Sequence, residues 1–282
     1  MKKIVIGLFA FLMLLSMSAI SQVTDDIPID GLFADETSSV DKKPIPYPQI
    51  RKADVMWKKR IWREIDFRQK FNQKFYYPLE SQANWKSFIM VVLDALKEGG
   101  KMTAYETSNT DELLIPITYN AIMGKLNDTV SRPFQRTYYP YEPYDSIVIS
   151  QFEPGTVMRL RVKEDWYFDK QRSQMMVRII ALCPVRMVDD NGQEAPEPMF
   201  WIPYADARDV FAQALVFNEF NSAMRLTYDE LFWKRLFDSY IYKEENVYDR
   251  FINGYARGVD ALLESERVKT EMFSFEEDLW QY

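Results

Sequence analysis

Between positions 157 and 162 the chain alternates, with Met158, Leu160 and Val162 on one side and Arg159 and Arg161 on the other. That period of two predicts a half-buried strand. The stretch 175–187 is apolar and β-prone, and 199–204 pairs with it across a turn at Asp190, Asn191 and Gly192. Asn-Gly suits a tight hairpin, because both residues tolerate positive φ. A helical spacing comes earlier. Trp57, Ile61 and Ile65 stand at i, i+4 and i+8 within 53–68, with Lys58, Lys59, Arg60 and Arg63 between them. An amphipathic helix is favoured there, and alternation through Ile61, Ile65 and Phe67 keeps a strand as the second reading. Asn84 is placed to cap a helix over 85–98 that Gly99 and Gly100 close. Residues 102–105 form a strand, and Thr118 caps a short helix through Leu126. Residues 205–217 are helical. Thr227 and Glu230 make a capping box for a helix with Leu231, Phe232, Leu236 and Tyr240 on its apolar side. A last helix covers 247–266, with weak points at Gly254 and Gly258. Strands and helices segregate more than they alternate. The expected class is therefore α+β, helices packed on a small, mostly antiparallel sheet.

The ends are different in kind. Lys2 and Lys3 precede an apolar run from Ile4 to Leu15, and small residues follow, Ala19 and Ser21 among them. That order is a secretory signal peptide over 1–21, cleaved before Gln22. A retained anchor is the rival, but the run is shorter than the ~20 residues that span a bilayer. No cysteine stands near the site for lipid attachment, and no second apolar run follows. Residues 22–50, with acids, serines and alternating Pro44, Pro46 and Pro48, form an extended arm or linker. The main domain spans 51–271, and 272–282 is an aromatic, acidic tail. Arm and tail are both expected to pack little on their own domain and to reach neighbours.

Composition narrows function mostly by exclusion. Loss of Lys2 and Lys3 takes 35 basic side chains to 33, against 42 acidic ones, and the formal charge from −7 to −9. An acidic chain without a basic block is poorly suited to nucleic acid or to an anionic lipid surface. There is no histidine, so nucleophile–histidine catalysis and imidazole zinc sites lack their parts. Cys183 is the only cysteine and lies in an apolar run, which suits a buried, inert thiol. Gly124 and Lys125 are followed by Leu126, not by the Ser or Thr of a phosphate loop. Ser39 and Lys42 match the spacing of acyl-serine enzymes, but the prolines that follow prevent a shared helical face. Asp189 and Asp190 lack the rest of a calcium loop, and Glu276, Glu277 and Asp278 are neighbours that cannot flank a substrate. No catalytic, cofactor or metal residue is expected.

Aromatic residues make up 15% of the chain. Core filling accounts for most of them. The segment 138–144 (YYPYEPY) is too rich in proline for regular structure and should be exposed, which marks Tyr139, Tyr141 and Tyr144 as candidate partner contacts. Leu279, Trp280 and Tyr282 in the tail are marked for the same reason. In residues 163–173 (KEDWYFDKQRS), acids and bases stand beside aromatics, and Asp165, Trp166, Asp169 and Arg172 are expected to form one structural cluster, with Arg172 on an acid or a carbonyl.

That last motif, with VRIIALCP over 177–184, resembles the GldN/PorN family. So do ADVMW at 53–57, IWREIDFR at 61–68, YYP at 76–78, MFW at 199–201, NVYDR at 246–250 and EDLW at 277–280. The resemblance covers about 50–282, and it departs at Ile202, Pro203, Tyr204, Glu276 and Glu277. It implies a periplasmic protein that forms a ring with an outer-membrane lipoprotein, GldK/PorK. The ring would meet the periplasmic region of GldM/PorM, and through it the GldL/GldM motor of type IX secretion and, in gliders, of surface motility. Copies of the chain itself are the other implied partners. The alternative is a periplasmic hydrolase or a glycan-binding module.

Overall fold

The structure, a computed structural model, describes residues 42–280 except 83–84, 98–100, 108–110, 140, 142, 191–192, 219–220 and 222–223. All of these fall in one compact unit, Ser39–Tyr282. The signal segment 1–21 and most of the arm lie outside the described residues.

The first elements are β1 (Val55–Asp66), α1 (Gln73–Tyr76), α2 (Phe88–Lys97), β2 (Ala104–Tyr105), β3 (Pro116–Ile117) and α3 (Tyr119–Leu126). A long hairpin follows, β4 (Asp128–Gln135) and β5 (Pro143–Ser150), and then β6 (Val157–Asp169), β7 (Gln174–Asp190) and β8 (Gln193–Pro198). The chain continues through β9 (Ile202–Pro203), α4 (Tyr204–Gln213), β10 (Leu215–Val216), β11 (Leu226–Thr227) and α5 (Tyr228–Trp233). It closes with β12 (Tyr240–Glu244) and α6 (Val259–Trp280). The main sheet has the order β12-β1-β6-β7-β8, with β9 on β7, and every pairing in it is antiparallel. The fold is α+β.

The largest departure from expectation is β1, a strand where a helix was favoured. A spacing of four cannot separate the two, since positions i and i+4 share a face in either geometry. Period two is also hidden, because Ile61, Trp62, Arg63, Glu64 and Ile65 are all buried. Both faces of the sheet are covered. Ile61 and Ile65 face the side where helices pack. Trp62 faces the other, with Ala181, Cys183, Trp201 and Tyr242.

On the helix side, Phe75, Phe88, Phe211, Tyr228 and Phe232 form an aromatic core, with ring centroids 5.4 to 6.3 Å apart. Core filling thus absorbs many of the aromatic side chains. Thr118 caps α3 as expected, accepting from the Ala121 amide. Thr227 likewise accepts from Glu230 at the start of α5. That helix ends at Trp233, however, and Tyr240 opens a strand. The helix expected over 205–217 stops at Gln213 and passes into β10. Strands β7 and β8 pair as far as Asp190 with Gln193, around the expected turn, whose residues 191–192 lie outside the described residues. Only Ile202 and Pro203 of the segment 199–204 pair with β7.

Helix α6 begins at Val259, not near 247, because Gly258 takes φ +59°, a conformation that ends rather than continues a right-handed helix. It runs on to Trp280, so the segment from Met272 is no loose tail. Met272 is 2% exposed against Ile61 and Trp166, and Phe275 stacks on Trp57 at 4.9 Å. The helix also straps the sheet from β12 across to β7. Ser265 Oγ accepts from the Ile241 amide of β12, and Glu276 Oε1 accepts from the Met175 amide of β7. Eleven residues of helix span roughly 16 Å, close to the roughly 14 Å across three strand spacings.

Candidate functional site

The motif 163–173 is the second half of β6 and the turn into β7. Neighbours on a strand point to opposite faces, so its four marked residues do not form one cluster. Asp165 receives Arg60 at 2.7 and 3.0 Å and Lys58 at 2.8 Å across the β1–β6 ladder. Burial pushes its carboxyl up, but those hydrogen bonds outweigh it and hold the group below the usual carboxylate range. Trp166 turns the other way, into the core under α6, and its Nε1 donates to Glu164 at 3.0 Å. Glu164 is fully buried and receives Arg235 at 2.9 and 3.2 Å. Asp169 holds the turn, accepting from the Gln171 amide at 2.9 Å and from Arg172 at 2.6 Å. Arg172 therefore sits on an acid. Asp165 and Asp169 are four residues apart on a strand, roughly 13 Å.

The same face of the sheet carries two more charge groups. Glu64 receives Arg159 at 2.8 Å, Arg161 at 3.1 Å and the Tyr240 hydroxyl. Burial, followed by that carboxylate, pushes the Tyr240 hydroxyl pKa up. Lys243 pairs with Asp111 at 2.7 Å and Asp249 at 2.8 Å, and its ammonium lies 4.5 Å from the Trp62 ring. Lys163 donates to the Asp111 carbonyl at 2.6 Å. These pairs are wiring between strands, since an unpaired buried charge would cost several kcal/mol. A cleft of about 510 Å³ lies elsewhere, lined by Leu96, Lys97, Met102, Ile117, Thr118 and Asn120 among others. Among the described residues none of the motif lines it, and Lys97 is the one charged residue on its wall. Cys183 is buried, and burial pushes its thiol up to about 12.

Exposed aromatics concentrate at the tip of the β4–β5 hairpin. Among the described residues its two strands pair in register from Asp128 with Ser150 to Gln135 with Pro143, as a separate two-stranded sheet. Regular structure therefore reaches into the proline-rich segment at Pro143, which opens β5 in a two-stranded ribbon where both strands are edges. Tyr138 is 64% exposed, Tyr139 85% and Tyr141 55%, the last at φ +57°. Tyr144 belongs to β5, and Leu279 and Trp280 to α6. The side chains of these three, and all of Tyr282, lie outside the described residues.

Two features escaped the sequence. One is a second exposed set, Val247, Tyr248, Val259, Leu262 and Leu263, with Arg250 lying 5.1 Å from the Tyr248 ring and 4.7 Å from Tyr255. NVYDR was its only signal. The other is a seat for the arm: Tyr47 is half-buried against Trp233, Arg178 and Arg208. The end of the arm at 42–50 is thus attached to its own domain, contrary to expectation.

Residues 50–281 match the family model described as gliding motility associated protein GldN. No curated protein matches the chain.

Proposed function

The chain belongs to the GldN family, associated with gliding motility and type IX secretion, and from that premise we propose that it is a non-enzymatic structural part of the secretion machinery. On this reading it is exported, loses residues 1–21 and works in the periplasm beside the outer membrane. It forms a ring with a lipoprotein of the GldK/PorK kind, meets the periplasmic region of GldM/PorM and so couples export to the GldL/GldM motor.

The observation that carries this reading is the β4–β5 hairpin. A lone two-stranded ribbon is marginal in water, yet this one presents Tyr138, Tyr139 and Tyr141 exposed at its tip. Exposed tyrosines are anchors for a protein surface. The buried charges, by contrast, are consumed inside the sheet. Purification of the tagged lipoprotein from native envelopes tests the reading. This chain should accompany it in a complex far larger than 33.5 kDa, with its own sequence starting near Gln22. A monomer that ignores the lipoprotein, or a chain retaining Met1, would count against it. The same tyrosines could serve as a glycan platform, and titration with cell-wall fragments that saturates at the hairpin would favour that alternative.

A further inference from the structure

Segment 42–50 has no regular secondary structure, and no main-chain hydrogen bond joins it to the sheet among the described residues. Side chains hold it instead. The Tyr47 ring lies 5.4 Å from Trp233, with the Arg208 guanidinium at 4.3 Å and that of Arg178 at 4.6 Å. Arg178 also donates to the Pro48 carbonyl at 3.4 Å. The socket is fixed from behind. Arg208 is 6% exposed and makes a two-point pair with Asp229 at 2.9 and 3.2 Å. The Tyr204 hydroxyl donates to the same carboxylate at 3.1 Å. On the arm, Pro44, Pro46 and Pro48 alternate with Ile45 and Tyr47. Such a segment is extended before it binds and loses little entropy on docking. An aromatic and cationic seat filled by a proline-spaced strand is a peptide-recognition geometry.

We propose that Arg178, Arg208 and Trp233 form a Tyr–Pro recognition site whose occupant in the assembled state is the arm of a second copy of this chain. The proposal rests on the reading that copies pack side by side. The fit of this segment to the socket is already displayed, and an identical socket on a neighbour offers identical contacts. Nothing in the seat ties the arm to its own copy. The Lys42–Glu230 ion pair is part-exposed and weak, and no strand ladder has to be broken. Six residues, 49–54, separate Pro48 from β1. Six extended residues would reach roughly 20 Å, and 52–54 form a 3-10 turn whose Asp54 carbonyl accepts from the Lys170 amide, so only a directly adjoining copy can supply the arm. The result is a heterologous contact, arm of one copy into socket of the next, which propagates around a ring.

Cross-linking of the full mature chain separates the two seats. One preparation carries Lys42→Cys, another Glu230→Cys, and a third both, so that Tyr47 and the socket stay intact. Cys183 is buried and does not compete. The two single variants are mixed and treated with a short bis-maleimide, and light scattering of the same sample reports whether copies associate. The expected result is a covalent dimer in the mixture and in neither variant alone, reduced at least tenfold by Tyr47→Ala. Closure of the double variant within one chain, with no dimer in the mixture, overturns the proposal. If the copies associate nonetheless, the assembly reading survives that failure. If they do not, both fall. A dimer that withstands Tyr47→Ala also overturns it, as does one lost on Tyr139→Ala, which would give the socket to the hairpin tip.

Discussion

Asp229 accepts two hydrogen bonds from Arg208 and one from Tyr204 in a nearly closed site. Removing one partner leaves the other buried without compensation. Asp229→Ala should therefore lower unfolding free energy by about 3–5 kcal/mol, read from urea denaturation. The acids Asp66, Asp165 and Asp169 act through pH. In Asp66 and Asp165 burial opposes hydrogen bonds from Arg68, and from Arg60 and Lys58, and the bonds win; in Asp169 the Arg172 hydrogen bond leads. All three titrate lower in the folded chain than unfolded. Their contribution is thus complete above the unfolded value of about 3.9 and is lost as pH falls through the folded values. The urea midpoint should hold steady from about pH 7 to about 5 and drop below about 4, with a shallower drop in Asp165→Asn. A flat profile down to about pH 2 would show that these pairs add nothing.

Helix α6 is the element whose role differs most from its sequence. Acidic residues and terminal aromatics suggest a loose end, but Met272 and Phe275 recur three residues apart on the face that meets Ile61, Trp57 and Trp166. Met272→Ala should cost about 2–5 kcal/mol in thermal or urea unfolding. Glu271→Ala, one residue away on an exposed ion pair with Arg267, should stay within about 0.5 kcal/mol. Equal effects would mean that the helix does not hold the sheet. Local signals were legible where they were local in cause. Thr118 and Thr227 cap helices through bonds within three residues, and β6 shows its alternation because Arg159 and Arg161 need acids while Leu160 and Val162 need a core. Strand β1 was ambiguous, since burial of both faces erases the period that would have told strand from helix. The seat of Tyr47 was not legible, because Arg178 and Arg208 lie more than 130 residues along the chain and nothing near Tyr47 implies them.

Across the molecule, exposed aromatic residues include a group at the hairpin tip, Tyr138, Tyr139 and Tyr141, and another before α6, Tyr248, Phe251 and Tyr255. The β12 edge of the sheet is less available, because α6 caps an amide there and another on β7. The hairpin is then the exposed structure best formed for a partner, with neither strand joined to the main sheet. Tyr139 and Tyr141 lie 6.3 Å apart, edge to face, so a partner would meet them as one aromatic surface. Tyr139→Ala combined with Tyr141→Ala removes mostly exposed rings and should leave the melting temperature unchanged. Buried central aromatics in an interface each contribute about 2 kcal/mol or more. The double variant should therefore bind the lipoprotein partner at least tenfold more weakly in a titration of purified components. Val247→Ala with Tyr248→Ala makes the matched control at the second exposed set. If the hairpin variant binds with full affinity while the control does not, docking belongs to the turn at Val247 and Tyr248, and the hairpin has another task.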